Sequence, residues 1–147
     1  MIFSSDAAVA RIALGVRARS LPKPDWTHAA HFAAAVHFLA DPAFDAWAET
    51  PGVIRAYNEA TGVLNTDEEG YHETITLASL GAAASALEAA ADGAPLFAVV
   101  NDILAGPCGR SDWPLAYWSR ERLFSPEARR DWLAPDLATL PFAVRHA

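Results

Sequence analysis

The chain is predicted to fold as an all-α, single-domain bundle of six or seven helices, on three observations. Alanine, the strongest helix former, supplies 33 of its 147 residues. Proline or glycine interrupts the chain at intervals of about 10–25 residues, the spacing of helices and their stops. Apolar positions recur at helical spacing, as in the stripe Leu77, Leu80, Ala84 and Leu87.

The elements follow in order. Ser4 or Ser5 caps a first helix to about Arg19, with Val9, Ile12, Leu14 and Val16 apolar. Leu21-Pro22-Lys23-Pro24 is extended, because a proline disfavours helix in the residue before it. Asp25 or Thr27 caps a second helix to about Ala40. Being apolar all round, it belongs at the centre of the core.

Phe44 to Ala48 and Val53 to Thr61 are read as two short helices divided by Thr50-Pro51-Gly52, the second ending at Gly62. Asn65 to Gly70 is an acidic loop in which Thr66 and Glu69 have the spacing of a capping box for the next helix. That helix reaches about Ala91, and Pro95 opens another to about Ala105. Helical pieces around Leu115–Phe124 and Pro126–Leu133 complete an aromatic-rich tail. A chain of 147 residues suits one domain, 1–147, with no internal repeat or linker.

Bulk chemistry narrows the partners. A net charge of −7 argues against nucleic acid, which needs a basic face. The single Cys108 allows no internal disulfide and fits a reducing compartment. Asp6 and Arg11 interrupt the N-terminal apolar residues, leaving no signal-peptide core. The longest uncharged stretch, Trp26 to Ala40, has 15 residues and is too short to span a bilayer. A cytoplasmic protein without membrane partners is expected.

Three of the five histidines fall in two short segments, Trp26-Thr27-His28-Ala29-Ala30-His31 and Tyr71-His72-Glu73-Thr74. On one helix His28 and His31 lie about 60° apart and point the same way. Glu73 heads the stripe through Leu77 and Leu80, where a lone carboxylate is disfavoured and calls for a cation, a His or an Arg. His72, at its helix start, feels the positive end of the backbone dipole and is kept neutral. His28, His31, His72 and Glu73 are therefore candidate ligands of one transition metal, Zn, Ni or Fe. The bland alternative is a buried His–Glu hydrogen bond.

Tyr57, Asn58, Tyr71 and Thr76 are candidates to orient a ligand or to support those histidines from behind. His37 is read as structural and His146 as disordered or exposed. Gly106-Pro107-Cys108-Gly109-Arg110 is read as a turn rather than a nucleophile site, since no His is near it in sequence. The tail aromatics Trp113, Tyr117, Trp118, Phe124 and Trp132 are expected to pack on the core. Arg120 or Arg122 in an anion-binding cleft is the other reading.

Several blocks carry a resemblance: Trp26 to His31, Tyr57 to Val63, Asn65-Thr66, Gly70 to Thr76, and Ser119 to Arg129. In these the chain resembles a family of small uncharacterised bacterial proteins. The resemblance implies one coherent domain from Trp26 to about Leu140 and hands over no reaction.

The functional expectation is a metal-binding helical protein, in its fullest form an enzyme acting on a small molecule. His28, His31 and His72 would bind the ion. Glu73 would be a fourth ligand, or the catalytic base on a metal-bound water. The alternative is a non-catalytic helical module, alone or as a homodimer, with the same groups in a buried structural network.

Overall fold

Seven α-helices and no strand form among residues 2–146, which the computed structural model describes. They are α1 (Asp6–Arg17), α2 (His28–Ala40), α3 (Ala46–Ala60), α4 (Glu73–Ala89), α5 (Leu96–Ala105), α6 (Arg120–Leu123) and α7 (Pro126–Arg130). Three 3₁₀ turns, Lys23–Asp25, Pro107–Gly109 and Trp113–Ala116, join them. The all-α bundle of the sequence reading is the observed fold.

Side-chain caps set most helix starts. Ser5 Oγ accepts from Ala8 N at 3.1 Å, and Thr27 Oγ1 from Ala30 N at 3.2 Å. The second helix is central as expected. Ala30, Phe38 and every residue from Phe32 to Val36 are buried, and α2 packs against α1, α3, α4 and α5. Its alanines let those neighbours approach closely, since interaxial distance follows the side chains at the contact.

Two local expectations are corrected. The segment around Thr50-Pro51-Gly52 does not divide two helices, because α3 runs unbroken from Ala46 to Ala60. Pro51 removes only the one backbone bond to the carbonyl four residues earlier. Asp45 secures the start by accepting from Ala48 N and donating its own N–H to Glu49 Oε2 at 2.8 Å. Buried Ala46 and Thr50 on one side of the proline, and Tyr57 and Asn58 on the other, hold both halves to the core.

Thr66 and Glu69 likewise form no capping box for α4. Thr66 Oγ1 accepts from Glu68 N and Glu69 N, closing a turn inside the loop. Gly70 then takes φ +80°, where a Cβ would lie 2.2 Å from the Leu64 carbonyl oxygen. The helix is capped instead by His72.

Beyond α5 the chain returns across the bundle. Trp118 is fully buried and donates its indole N–H to Leu133 O at 2.9 Å. Thr74 Oγ1 donates to Asp131 O at 2.8 Å and accepts from Leu133 N at 3.1 Å, fixing the tail to the start of α4. Further along α4, Gly81 leaves room for Ala143, whose carbonyl oxygen would sit 2.6 Å from a Cβ. The aromatic tail thus packs back on the core through Trp113 and Trp118, with Tyr117 and Trp132 against it, whereas Phe124 at the end of α6 is half exposed and does not join it. Trp132 and exposed His146 stack on each other at 5.5 Å.

Candidate functional site

The residues singled out in the sequence go to three different places. His28, on the first turn of α2, donates its Nε2–H to the Cys108 carbonyl at 2.8 Å and meets Phe32 edge-on. It ties α2 to the Pro107–Gly109 turn. Burial pushes the Cys108 thiol up, away from thiolate, which agrees with a turn rather than a nucleophile.

His72 closes the start of α4 with both ring nitrogens. Nδ1 accepts from Ile75 N at 3.1 Å, and Nε2–H donates to Leu123 O at 2.7 Å. That pair of roles belongs to one neutral tautomer. Burial is the main cause lowering its pKa. The bond to Leu123 opposes the shift, and the Arg129 charge lowers it further.

Glu73 is the first residue of α4, half-buried, and accepts from the Tyr71 phenol at 2.5 Å. Tyr71 also carries the Arg55 guanidinium over its ring at 4.3 Å. Burial, then the bond to Glu73 and its charge, raise the Tyr71 pKa, while Thr76 and Arg55 oppose.

The expected shared site of His28, His31, His72 and Glu73 is therefore not assembled. Among the described residues no three His, Cys, Asp or Glu side chains form a group able to hold a metal ion. The helical spacing was read correctly, but His28 and His72 each use a nitrogen on a distant carbonyl. Glu73 is paired with a Tyr. Tyr57 is also removed from any ligand role, because it is fully buried with its hydroxyl donating to Leu21 O at 2.9 Å.

His31 differs in lining a groove with a free nitrogen, although His28 Nδ1 is likewise without a hydrogen-bond partner among the described residues. The His31 Nδ1–H donates to the Thr27 carbonyl at 2.7 Å, and its ring stacks on Trp26 with centroids 3.8 Å apart. Tyr57 supports Trp26 from behind, edge-on at 5.6 Å. With Nδ1 carrying the proton, Nε2 presents a lone pair and has no hydrogen-bond partner among the described residues.

His31 is exposed in the fold, although Trp26 covers one face of its ring and takes water from it. Burial is the largest cause lowering the His31 pKa to about 4. The Thr27 bond opposes it, and His28 lowers it further. Water at the open edge screens part of that cost, and the direction leaves a neutral imidazole at neutral pH.

His31 lies in a groove between α2, α3 and α4. Its wider limb, about 270 Å³, is lined by Asn58, Val63, Gly70, Tyr71 and His72. A narrow limb of about 50 Å³ runs on between Ala34, Ala35, Phe38, Thr50, Ser79 and Leu80. Trp26, His31, Ile54, Ile75 and Thr76 line both, so the two are one continuous groove. Among the described residues no Asp, Glu, Lys or Arg lines either limb.

Four sequence candidates besides His31 thus meet here: Asn58, Tyr71, His72 and Thr76. Asn58 donates to Asn65 Oδ1 at 3.0 Å, and Asn65 in turn accepts from Tyr71 N, which holds the loop against the wide limb. Sequence reasoning missed Trp26 as a wall, together with Ile54, Ile75 and Thr50. Their only signal was an aromatic residue five before a histidine. Thr50 Oγ1 is buried with no hydrogen-bond partner, an uncompensated cost beside the narrow limb.

The two lowered histidines fix a pH dependence. Both bind a proton less readily when folded than at the unfolded value of 6.5, so the unfolded state takes up more protons below that pH. The contribution of each to stability is complete above 6.5 and is lost as the pH falls below it, for His31 down to about 4. The urea midpoint is expected to be lower at pH 5 than at pH 7.5. A flat profile over that interval would contradict the assignment.

No protein-family model, curated protein or solved structure matches this chain.

Proposed function

We propose that the protein binds a small, uncharged and mainly apolar molecule in the groove between α2, α3 and α4. The observation that carries this reading is His31 Nε2, a neutral acceptor left open where its other nitrogen is anchored to Thr27. The walls support it. An apolar lining with a few placed polar groups is the usual make-up of a small-molecule site, and a lining without charge favours a ligand without charge.

A pKa lowered to about 4 makes His31 a weak base at neutral pH, so it serves as a hydrogen-bond acceptor rather than a proton abstractor. A transition-metal site built on His28, His31, His72 and Glu73 is the less favoured reading. His72 would have to release one of its two backbone partners to free a nitrogen, and Glu73 would have to leave the Tyr71 phenol.

The test uses phenol as probe, with NMR shifts of the His31 ring and the Ile75 methyls as readout. Saturable shifts are expected in the parent protein and should vanish in His31→Phe, which keeps a ring against Trp26 but removes Nε2. Phenyl phosphate, charged, should not bind. Absence of any phenol shift at His31 would overturn the reading. So would elemental analysis of untagged protein finding one transition-metal ion per chain.

A further inference from the structure

Resting on that reading of the groove, we propose that its ligand class is a single-ring phenol bearing a one- or two-carbon apolar substituent. The ring would occupy the wide limb, with its O–H on His31 Nε2 and the substituent in the narrow limb.

The sizes of the limbs carry the argument. A cavity of about 150 Å³ lined by apolar side chains admits benzene, and one water takes about 30 Å³ of liquid volume. The wide limb, about 270 Å³, therefore holds one substituted ring but not a fused polycycle with side chains. The narrow limb, about 50 Å³, has space for one or two carbons and no ring.

The linings divide in the same way. Ala34, Ala35, Phe38 and Leu80 surround the narrow limb with carbon. The hydroxyl of Ser79 is already committed to Ile75 O at 2.7 Å, which leaves Thr50 Oγ1 as the one uncommitted hydroxyl that lines this limb alone. The wide limb carries the polar atoms, from Asn58 to Tyr71 and His72. His31 and Thr76 stand where the limbs meet, since both line each of them.

A phenol matches the acceptor as well. Its O–H donates to Nε2, whereas an ether oxygen in the same place would set two lone pairs against each other.

Isothermal titration of the intact protein with phenol, 2-methylphenol and 2-ethylphenol tests this, since a substituent next to the O–H is the one that reaches the narrow limb from His31. Affinity is expected to rise about fourfold for each carbon buried. 2-Propylphenol should gain nothing further. 2-Ethylanisole, without the O–H donor, should bind at least tenfold more weakly than 2-ethylphenol.

Filling the narrow limb with Ala35→Val should abolish the gain of ethyl over hydrogen while phenol still binds. Circular dichroism checks that this variant folds, and the ligand series on the parent chain decides the matter without it. Phenol binding with no gain from methyl or ethyl would overturn the two-part ligand and leave the groove reading standing. Failure of every member would overturn both. Tighter binding of 2-hydroxybenzyl alcohol than of 2-ethylphenol would overturn the apolar narrow limb and place a ligand oxygen on the Thr50 hydroxyl.

Discussion

His72→Ala is expected to destabilise the fold by roughly 2–4 kcal/mol, because one ring makes two separate bonds. Losing the cap on Ile75 N costs about 1 kcal/mol. Losing the donor to the buried Leu123 carbonyl leaves that acceptor unpaired, at about 1–3 kcal/mol. For a chain of this length the melting temperature should fall by roughly 5–15 °C.

His72→Asn separates the two contributions. Asparagine is a good N-cap but is too short to replace the imidazole at Leu123, so about 1 kcal/mol should return. Thermal melts of the three proteins decide it. Equal stability of parent and Ala variant would show that α4 is not held by this ring.

Trp118→Ala is the second large effect. The indole is fully buried, meets Trp132 edge-on at 5.8 Å and donates to Leu133 O. Removing a buried Trp side chain costs about 3–5 kcal/mol, a large share of the roughly 5–15 kcal/mol that stabilises a domain. Trp118→Phe keeps most of the packing and loses the N–H, for about 1–3 kcal/mol. Denaturant midpoints should rank parent above Phe above Ala. A Phe variant below the Ala variant would mean that ring geometry, rather than burial and the indole bond, governs this corner.

Both residues show how far local pattern reaches. The neutrality of His72 followed from its place at a helix start, and its bonds in the structure require the same tautomer. Its partner could not be read in the same way. The Leu123 carbonyl is 51 positions away in sequence, and the Cys108 carbonyl that holds His28 is 80 away. The i, i+3 geometry of His28 and His31 fixed only their shared side of α2. Different neighbours then took them, Cys108 on one flank and Trp26 on the other.

Proline was over-read for a related reason. Pro51 signals a stop when only its own backbone is considered. In the folded chain the burial of Ala46, Thr50, Tyr57 and Asn58 along one helix outweighs a single missing bond.

The sequence by itself determined the helical class, the central place of the segment from His28 to Ala40, and a cap at Asp25 or Thr27, of which Thr27 is the one used. It also determined the packing of Trp113, Tyr117, Trp118 and Trp132, though not of Phe124. These depend on propensity, capping and periodicity, which act within about four residues. Only the tertiary structure decided that Trp26, Ile54, Val63 and Ile75 enclose a groove, and that His31 alone of the candidate ligands keeps a nitrogen open to it. Those walls come from α3, α4 and the segments preceding α2 and following α3. Their convergence was set by how the helices pack, a property no short window of sequence contains.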